Sequence, residues 1–341
     1  MLIFAEVLKI KVLYIGSGRY PIPPKGYGAV EKHIWNLSKA MRSLGHEVYI
    51  VNNTIARNSL DEYRFALLST REAKKIDYDV LHLHTAPTGL VYSLLGYKFV
   101  YTSHSRHWSG VHSIRDAYGL NVEKHNIKYA KEVISLTEEI KKKMGGYEKI
   151  HVIPNGVDVH IYKPSSTKNK TIVLIGEVSP RKDIHTAFKA LKGTNVNVVV
   201  IGPVKDKEYL SYLKSLIPDA IFTGEIDELK MIEILSSSMI FLHPSRSEGL
   251  SMAIIEAMSC GLPVICSDVS SSVVSPENGF IFYSKLDENQ IISFIKEKVE
   301  LILNDENLAK AISIANRKKV ENFYSWESIA KEVEKVYKTM R

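Results

Sequence analysis

The chain has 341 residues, 45% hydrophobic and 24% charged, which is enough apolar material for two ordinary cores. Its formal charge of +7 belongs to the first half: residues 1–165 hold 23 Lys and Arg against 15 Asp and Glu, and the remainder holds 22 against 23. Two cysteines, Cys260 and Cys266, exclude a disulfide framework and a thiolate metal centre, and no apolar run approaches the roughly 18 residues of a membrane span.

The low cysteine count fits a reducing, cytoplasmic compartment. The opening "MLIFAEVL" is short, carries Glu6 and lacks a basic start and a cleavage site, so it is not read as a secretion signal. The basic first half asks for an anionic partner, a membrane surface or phosphorylated lipid ahead of nucleic acid. A solvated Lys-rich surface is the plain alternative.

In chain order, "KIKVLYIG" reads as a buried strand, "YGAVEKHIWNLSKAMRSLG" as an amphipathic helix stopped by Gly45, and "HEVYIV" as the next strand. "DVLHLH", "FVYTSH", "EVISL" and "IHVIPN" continue the alternation, which predicts a parallel sheet covered by helices. Residues 154–170, "PNGVDVHIYKPSSTKNK", lose the apolar period and read as a linker. The alternation restarts with "TIVLIG", "DIHTAFKAL", "VNVVVIG", "AIFTG", "MIFLHP" and "PVICSD". Closing helices are opened by Asp287 with Gln290 three residues on, by Asp305 and by Ser325. The fold class expected is α/β, with two doubly wound Rossmann-like domains and a ligand cleft between them. The boundaries expected are residues 1–160 and 161–324, with the last helix, 325–341, returning to the first domain.

The first strand runs into "IGSGRYPIPPKGYG". A Gly-rich turn there suggests phosphate binding, but the dinucleotide fingerprint is incomplete and the second strand ends in Asn52-Asn53 without an acidic residue, which excludes a nicotinamide enzyme. Gly28, directly before the first helix, lets backbone approach an anion or a sugar; a plain loop is the alternative. "DYD", Asp77–Asp79, precedes its strand and reads as a surface loop. His82 and His84 share a strand face, with His104, His107 and His112 following, but a zinc site would want carboxylate or thiol company. No metal site is expected. Trp108 reads equally as a membrane or acceptor contact and as a buried aromatic.

"PSRSEGLSMAIIEAMSCGLPVICSD", residues 244–268, carries Glu248 and Glu256 eight residues apart. The spacing alone says nothing in a chain with 26 Glu. Its context does: Glu248 follows a strand, at the sheet edge where α/β ligands bind, and the amides of Gly249, Leu250 and Ser251 open the next helix. Glu256 lies about two turns on, placed to accept two hydrogen bonds from a sugar diol or to pair with a buried cation.

This segment resembles the E-x7-E region of the retaining glycosyltransferases of the GT-B fold, family 4. "PPKGYGAVEKHIWNLSKAMRSLGHEV", "TSHS", "IPNGVD", "GEVSPRKD", "NGFIF" and "YSWESIAKEVEKVY" are similar, in order, to other family segments. The resemblance implies an N-terminal acceptor domain and a C-terminal domain for a nucleotide-diphosphate sugar. It implies Glu256 at the donor ribose, Glu248 at the sugar, the amides of Gly249, Leu250 and Ser251 at sugar or diphosphate, and Lys182 at the diphosphate. It also puts His104 at the reacting sugar and Gly28 near the donor. The family's Arg five residues before Lys182 is Glu177 here: either Arg181 replaces it, with Glu177 pointing away or orienting Arg181 by a salt bridge, or donor handling differs. The expected activity is transfer of a hexose, with retention, to a lipid-linked glycan or other glycoconjugate, at the inner membrane face and without a metal or other cofactor. A transferase making a soluble disaccharide, or a non-catalytic sugar-nucleotide or nucleic-acid-binding protein on the same fold, is the alternative.

Overall fold

The computed structural model describes residues 9–24, 28–104, 108, 113–246 and 250–340. The chain divides into two compact units: Met1–Gly156 with Trp326–Arg341, and Val157–Ser325. The change of unit thus falls at residue 156/157, against the 160/161 expected from the linker's composition.

Unit 1 contains β1 (Lys11–Ile15), α1 (Ala29–Ser43), β2 (Glu47–Val51), α2 (Ser59–Ala73), β3 (Val80–Leu83) and α3 (Ala86–Leu94). β4 (Val100–Thr102), α4 (Ile114–Tyr129), β5 (Glu132–Ser135), α5 (Glu138–Lys143) and β6 (Ile150–Val152) follow. The strands form one parallel sheet in the order β2-β1-β3-β4-β5-β6. Alternate residues of β1 fill two cores: Val12 and Tyr14 pack with α1, while Leu13 and Ile15 pack with Phe65, Tyr92 and Ile127 on the other face. The last helix, α12 (Trp326–Lys338), packs on the α1 face through Ile329, Ala330, Val333, Val336 and Tyr337. That spacing of three and four residues is a helical stripe.

Unit 2 repeats the plan with β7 (Thr171–Ile175), α6 (Ile184–Leu191), β8 (Asn197–Ile201), α7 (Lys207–Leu216), β9 (Ile221–Gly224) and α8 (Glu228–Ser237). β10 (Ile240–His243), α9 (Met252–Ser259), β11 (Val264–Ser267), β12 (Gly279–Phe282), α10 (Glu288–Asn304) and α11 (Glu306–Phe323) complete it. Its parallel sheet runs β12-β11-β10-β7-β8-β9. Asp287 and Gln290 form a complete capping box on α10, and Asp305 accepts from Leu308 N at the start of α11.

In both sheets the strand order reverses once. β1 has β2 on one side and β3 on the other; β7 has β8 and β10. The loops leaving the carboxyl ends of each such pair diverge to opposite faces and open a crevice.

Arg317 on α11 anchors the opening segment of unit 2 to α9. Its guanidinium donates to the carbonyls of Tyr162 (2.6 Å), Val159 (2.7 Å) and Ser259 (2.9 Å) and pairs with Glu321. Arg317→Met keeps the aliphatic stem and leaves these carbonyls without their donor. We expect unit 2 to lose about 2–4 kcal/mol, read as a lower urea midpoint; an unchanged midpoint would show that solvent replaces the guanidinium at no cost.

Candidate functional site

At the unit 2 reversal, β7 ends in Gly176 and the chain turns through Glu177, Val178 and Ser179 into a single 3-10 turn, Pro180–Lys182. Gly176 has φ +154°, and a Cβ there would meet the Lys182 side chain at 3.3 Å. Gly202, after β8, has φ +141°, and a Cβ there would stand 2.2 Å from the Gly176 carbonyl oxygen. Two glycines therefore let the β7 turn lie flat against its neighbour, with Lys182 drawn over it. Lys182 lines a small cavity with Gly176 and with His243, Pro244 and Ser245 from the end of β10.

Arg181 pairs with Glu177, Nη2 to Oε1 at 3.2 Å, and Ser179 Oγ donates to the same oxygen at 3.0 Å. Partial loss of hydration acts to raise the Glu177 pKa, but the Ser179 hydrogen bond, the Arg181 pair and the Lys182 charge outweigh it and hold the carboxyl below its usual range. Glu177 thus orients Arg181, one of the two outcomes open from the sequence.

Asp183 occupies the cap position of α6 but does not cap it: its backbone is left-handed, φ 51°, and its side chain makes no cap hydrogen bond. The buried carboxylate instead accepts from Thr186 Oγ1 and from Arg246 Nε, both at 2.8 Å. That ion pair ties the turn after β7 to the turn after β10, and the hydrogen bond that Arg246 donates to Asp183 raises the Arg246 pKa. Sequence reasoning missed Arg246 and His243. The signal available was their position directly after a strand on the reversal.

Glu248 and Gly249 lie outside the described residues. α9 begins at Met252, so the two-turn spacing between the carboxylates does not run along a helix. Leu250 is half-buried against the α9 core, and Ser251 is the N-cap of α9, its Oγ 3.4 Å from His243 Nε2. Glu256, also half-buried, is near Tyr162 and Cys260. Burial raises the Tyr162 pKa, and the charges of Glu256 and Glu228 add to it; Cys260 is pushed up to about 12 by burial, with Glu256 adding.

At the unit 1 reversal four imidazoles converge. His82 Nδ1 meets the Tyr337 hydroxyl at 2.6 Å and its Nε2 meets Thr102 Oγ1 at 2.7 Å. His84 Nδ1 lies 3.3 Å from His104 Nε2, and His33 Nδ1 lies 2.8 Å from Asn155 Oδ1. The His33 and His104 rings meet edge-on, centroids 4.6 Å apart, and Trp326 covers His33. The sequence reading took in His82, His84 and His104 but missed His33; the available signal is a histidine in the buried stripe of α1, four residues before Leu37. His107 and His112 lie outside the described residues.

Nitrogens of His33, His84 and His104 lie within 4.8 Å of one another, so these three could hold a metal ion. Two of their nitrogens already face each other across the His84–His104 contact, and no carboxylate or thiol joins the group among the described residues. Burial lowers the His33 pKa to about 4 and, with the neighbouring rings, holds His82, His84 and His104 well below the usual value. The rings are neutral donors and acceptors near pH 7.

The glycines after β1 are filled from within the protein. A Cβ on Gly16 would strike Asn52 at 2.2 Å, and one on Gly18 the Phe65 ring at 2.3 Å. Their packing is therefore accounted for without an anion. Gly28 has φ +122°, with Glu31 Oε2 2.6 Å from a Cβ position, and Glu31 binds Ser17 Oγ. Asp77 and Asp79 bind Lys11 at the opposite, N-terminal end of the sheet. Trp108 is buried.

A histidine cluster held neutral makes stability depend on pH. The unfolded imidazoles bind protons near pH 6.5 and the folded ones do not, so stability is complete above that pH and falls below it. The loss is up to about 1.4 kcal/mol per pH unit for each histidine, until the folded pKa is reached. Urea midpoints at pH 7.5 and 5.0 test this, and His33→Gln should reduce the difference. Equal midpoints would mean that the cluster protonates in place.

Residues 160–319 match the family Glycosyl transferases group 1, and residues 28–161 match Glycosyltransferase Family 4. A phosphatidylinositol N-acetylglucosaminyltransferase chain from Arabidopsis thaliana is 25% identical over 98% of this chain and 83% of its own. Among solved structures, sucrose-phosphate synthase from Thermosynechococcus elongatus superposes with TM-score 0.79 at 21% identity, covering 97% of this chain and 99% of its own. An Anabaena protein solved with UDP and glucose superposes with TM-score 0.71 at 18% identity, covering 97% and 100%.

Proposed function

We propose that this chain, which belongs to glycosyltransferase family 4, moves a hexose from a nucleotide diphosphate to a lipid-linked glycan or other glycoconjugate, with retention of configuration. The observation that carries this reading is the paired turn at the unit 2 reversal. Arg181 is oriented by Glu177, Lys182 is drawn over Gly176, and the Asp183–Arg246 ion pair ties the two turns together.

In the reaction the bond from the anomeric carbon to the diphosphate oxygen breaks, and its electron pair goes to the diphosphate. Lys182 and Arg181, with the amides of Gly249, Leu250 and Ser251, neutralise that charge, so the proposed chemistry needs no metal ion or other cofactor. The acceptor hydroxyl attacks the face the diphosphate leaves, and a phosphate oxygen takes its proton. Glu256 accepts the ribose hydroxyls and Glu248 holds the sugar. His104, neutral, hydrogen-bonds the reacting hexose without charging it, and Gly28 gives the backbone close approach to the donor.

A lipid acceptor is supported by the Arabidopsis relative, whose name specifies phosphatidylinositol, and by the positive charge of residues 1–165. No helix among the described residues is long and apolar enough to cross a membrane, so the proposed contact with an anionic inner membrane face is peripheral. The likeness to sucrose-phosphate synthase supports transfer to a soluble sugar as the second reading.

A thermal-shift screen of UDP, GDP and ADP hexoses, followed by transfer assays on the donor that binds, tests the function; UDP-glucose is the first donor to try. A donor at 100 times its Kd adds about 2.7 kcal/mol of stability. No shift with any nucleotide sugar would remove the reading. Given a donor, Lys182→Ala should lower kcat by about 10²–10³-fold and move the donor KM much less. Wild-type turnover would put the diphosphate elsewhere. Glu256→Ala should weaken free nucleotide and donor alike, by about 1.5–3 kcal/mol, whereas Glu248→Ala should spare the free nucleotide. Calorimetry giving the two variants equal nucleotide losses would reverse these roles.

A further inference from the structure

Unit 1 holds a second cavity, of about 530 Å³. Its polar lining is Lys124 and Lys128 of α4, Lys143 at the end of α5, Tyr147, Lys149 just before β6, and Trp108. Lys149 precedes a strand, and Lys128 stands next to the last residue of α4, four residues before the start of β5. This part of the lining therefore lies at the N-terminal ends of the strands, whereas His84 and His104 follow the carboxyl ends of theirs.

The four ammonium groups only donate, and the Tyr147 hydroxyl donates and accepts. Lys143 is paired with Glu139 at 2.6 Å. Lys149 Nζ donates to the carbonyls of Lys128 (3.0 Å) and Ala130 (2.8 Å), which leaves a third hydrogen for another acceptor. Partial burial lowers its pKa against the opposing charge of Glu132. Lys128 stands 5.5 Å from the Tyr129 ring, and neither it nor Lys124 has a carboxylate partner among the described residues. Trp108 is 6% exposed and closes part of the wall, its indole Nε1 buried without a hydrogen-bond acceptor among the described residues. The remaining wall is apolar, with Ile127 and Met144.

We propose that this cavity binds a phosphate group that carries an apolar substituent. A phosphate offers oxygens that only accept, matching the four ammonium groups, and the substituent covers Ile127 and Met144. A membrane phospholipid and a soluble phosphate ester share this chemistry. The site is independent of the transfer reaction, because none of its residues belongs to either strand-order reversal.

Calorimetry on the full chain with monomeric dihexanoylphosphatidic acid tests it, with inorganic phosphate and dihexanoylphosphatidylcholine as controls. Phosphatidic acid should bind and phosphatidylcholine should not. Lys124→Gln with Lys128→Gln should weaken binding about tenfold or more, and Lys143→Gln about fivefold. Both variants should keep the wild-type thermal midpoint and wild-type glycosyl transfer, so failure here and failure of the transfer reading are seen separately. Vesicles of phosphatidylcholine with phosphatidic acid distinguish the sources: co-sedimentation lost in the variants identifies a membrane lipid, and soluble binding without co-sedimentation identifies a phosphate ester. Wild-type affinity in both variants, no binding of the short-chain lipid, or equal affinity for inorganic phosphate would overturn the proposal.

Discussion

Parallel strands cannot be joined by tight turns. Each must be followed by a crossover that covers one face of the sheet, and the handedness of that crossover is almost invariant. A chain that fills both faces must therefore reverse its direction of growth once, and the reversal leaves a gap between two loops. Here it falls between β1 and β3 in one unit and between β7 and β10 in the other. Ser17, His84 and Lys182 each follow one of these four strands, and His243 ends the fourth. Backbone winding, ahead of any local motif, decides which side chains can share a ligand.

The two crevices are built from opposite electrostatic materials. The histidine cluster of unit 1 is uncharged: imidazoles hydrogen-bond one another, Asn155, Thr102 and Tyr337, and burial keeps protons off them. The crevice of unit 2 is ionic and braced. The 3%-exposed side chain of Asp183 binds the more exposed Arg246 across two turns, while Arg181 leans on Glu177 nearer to solvent. A half-exposed pair such as Glu177–Arg181 adds little stability, so its effect is to aim a planar cation. The neutral set can contact hydroxyls without drawing counter-ions, and the ionic set is suited to phosphate.

Much of this was legible in the residues. The alternation of buried strands and amphipathic helices specified the α/β class, because period 2 and period 3.6 leave different marks. The Asp287–Gln290 box could be read because capping is local. Strand order could not: "VLHL", "NVVVI" and "IFLH" are equally apolar, and nothing in them says that β10 rather than β9 lies beside β7. Asp183 is equivocal in the sequence for a related reason. A cap and a buried ion-pair partner look alike until Arg246, 63 residues away, is brought beside it. His33 was hidden in the same way, an ordinary helix residue until β3 and β4 set His84 and His104 against it.

The course of the chain through α12 has a consequence for how the protein is made. Unit 1 uses the first 156 residues and then waits for the last helix, which is translated only after the whole of unit 2. That helix supplies Tyr337, which binds His82 and Tyr14, and Trp326, which closes over His33. On the ribosome the earlier-made unit is therefore the later one to be completed. Its sheet can assemble as it emerges, but its histidine cluster stays open on one side until synthesis reaches the end of α12. The middle of the chain has every element it needs well before then, so vectorial synthesis gives the ionic crevice a head start over the neutral one.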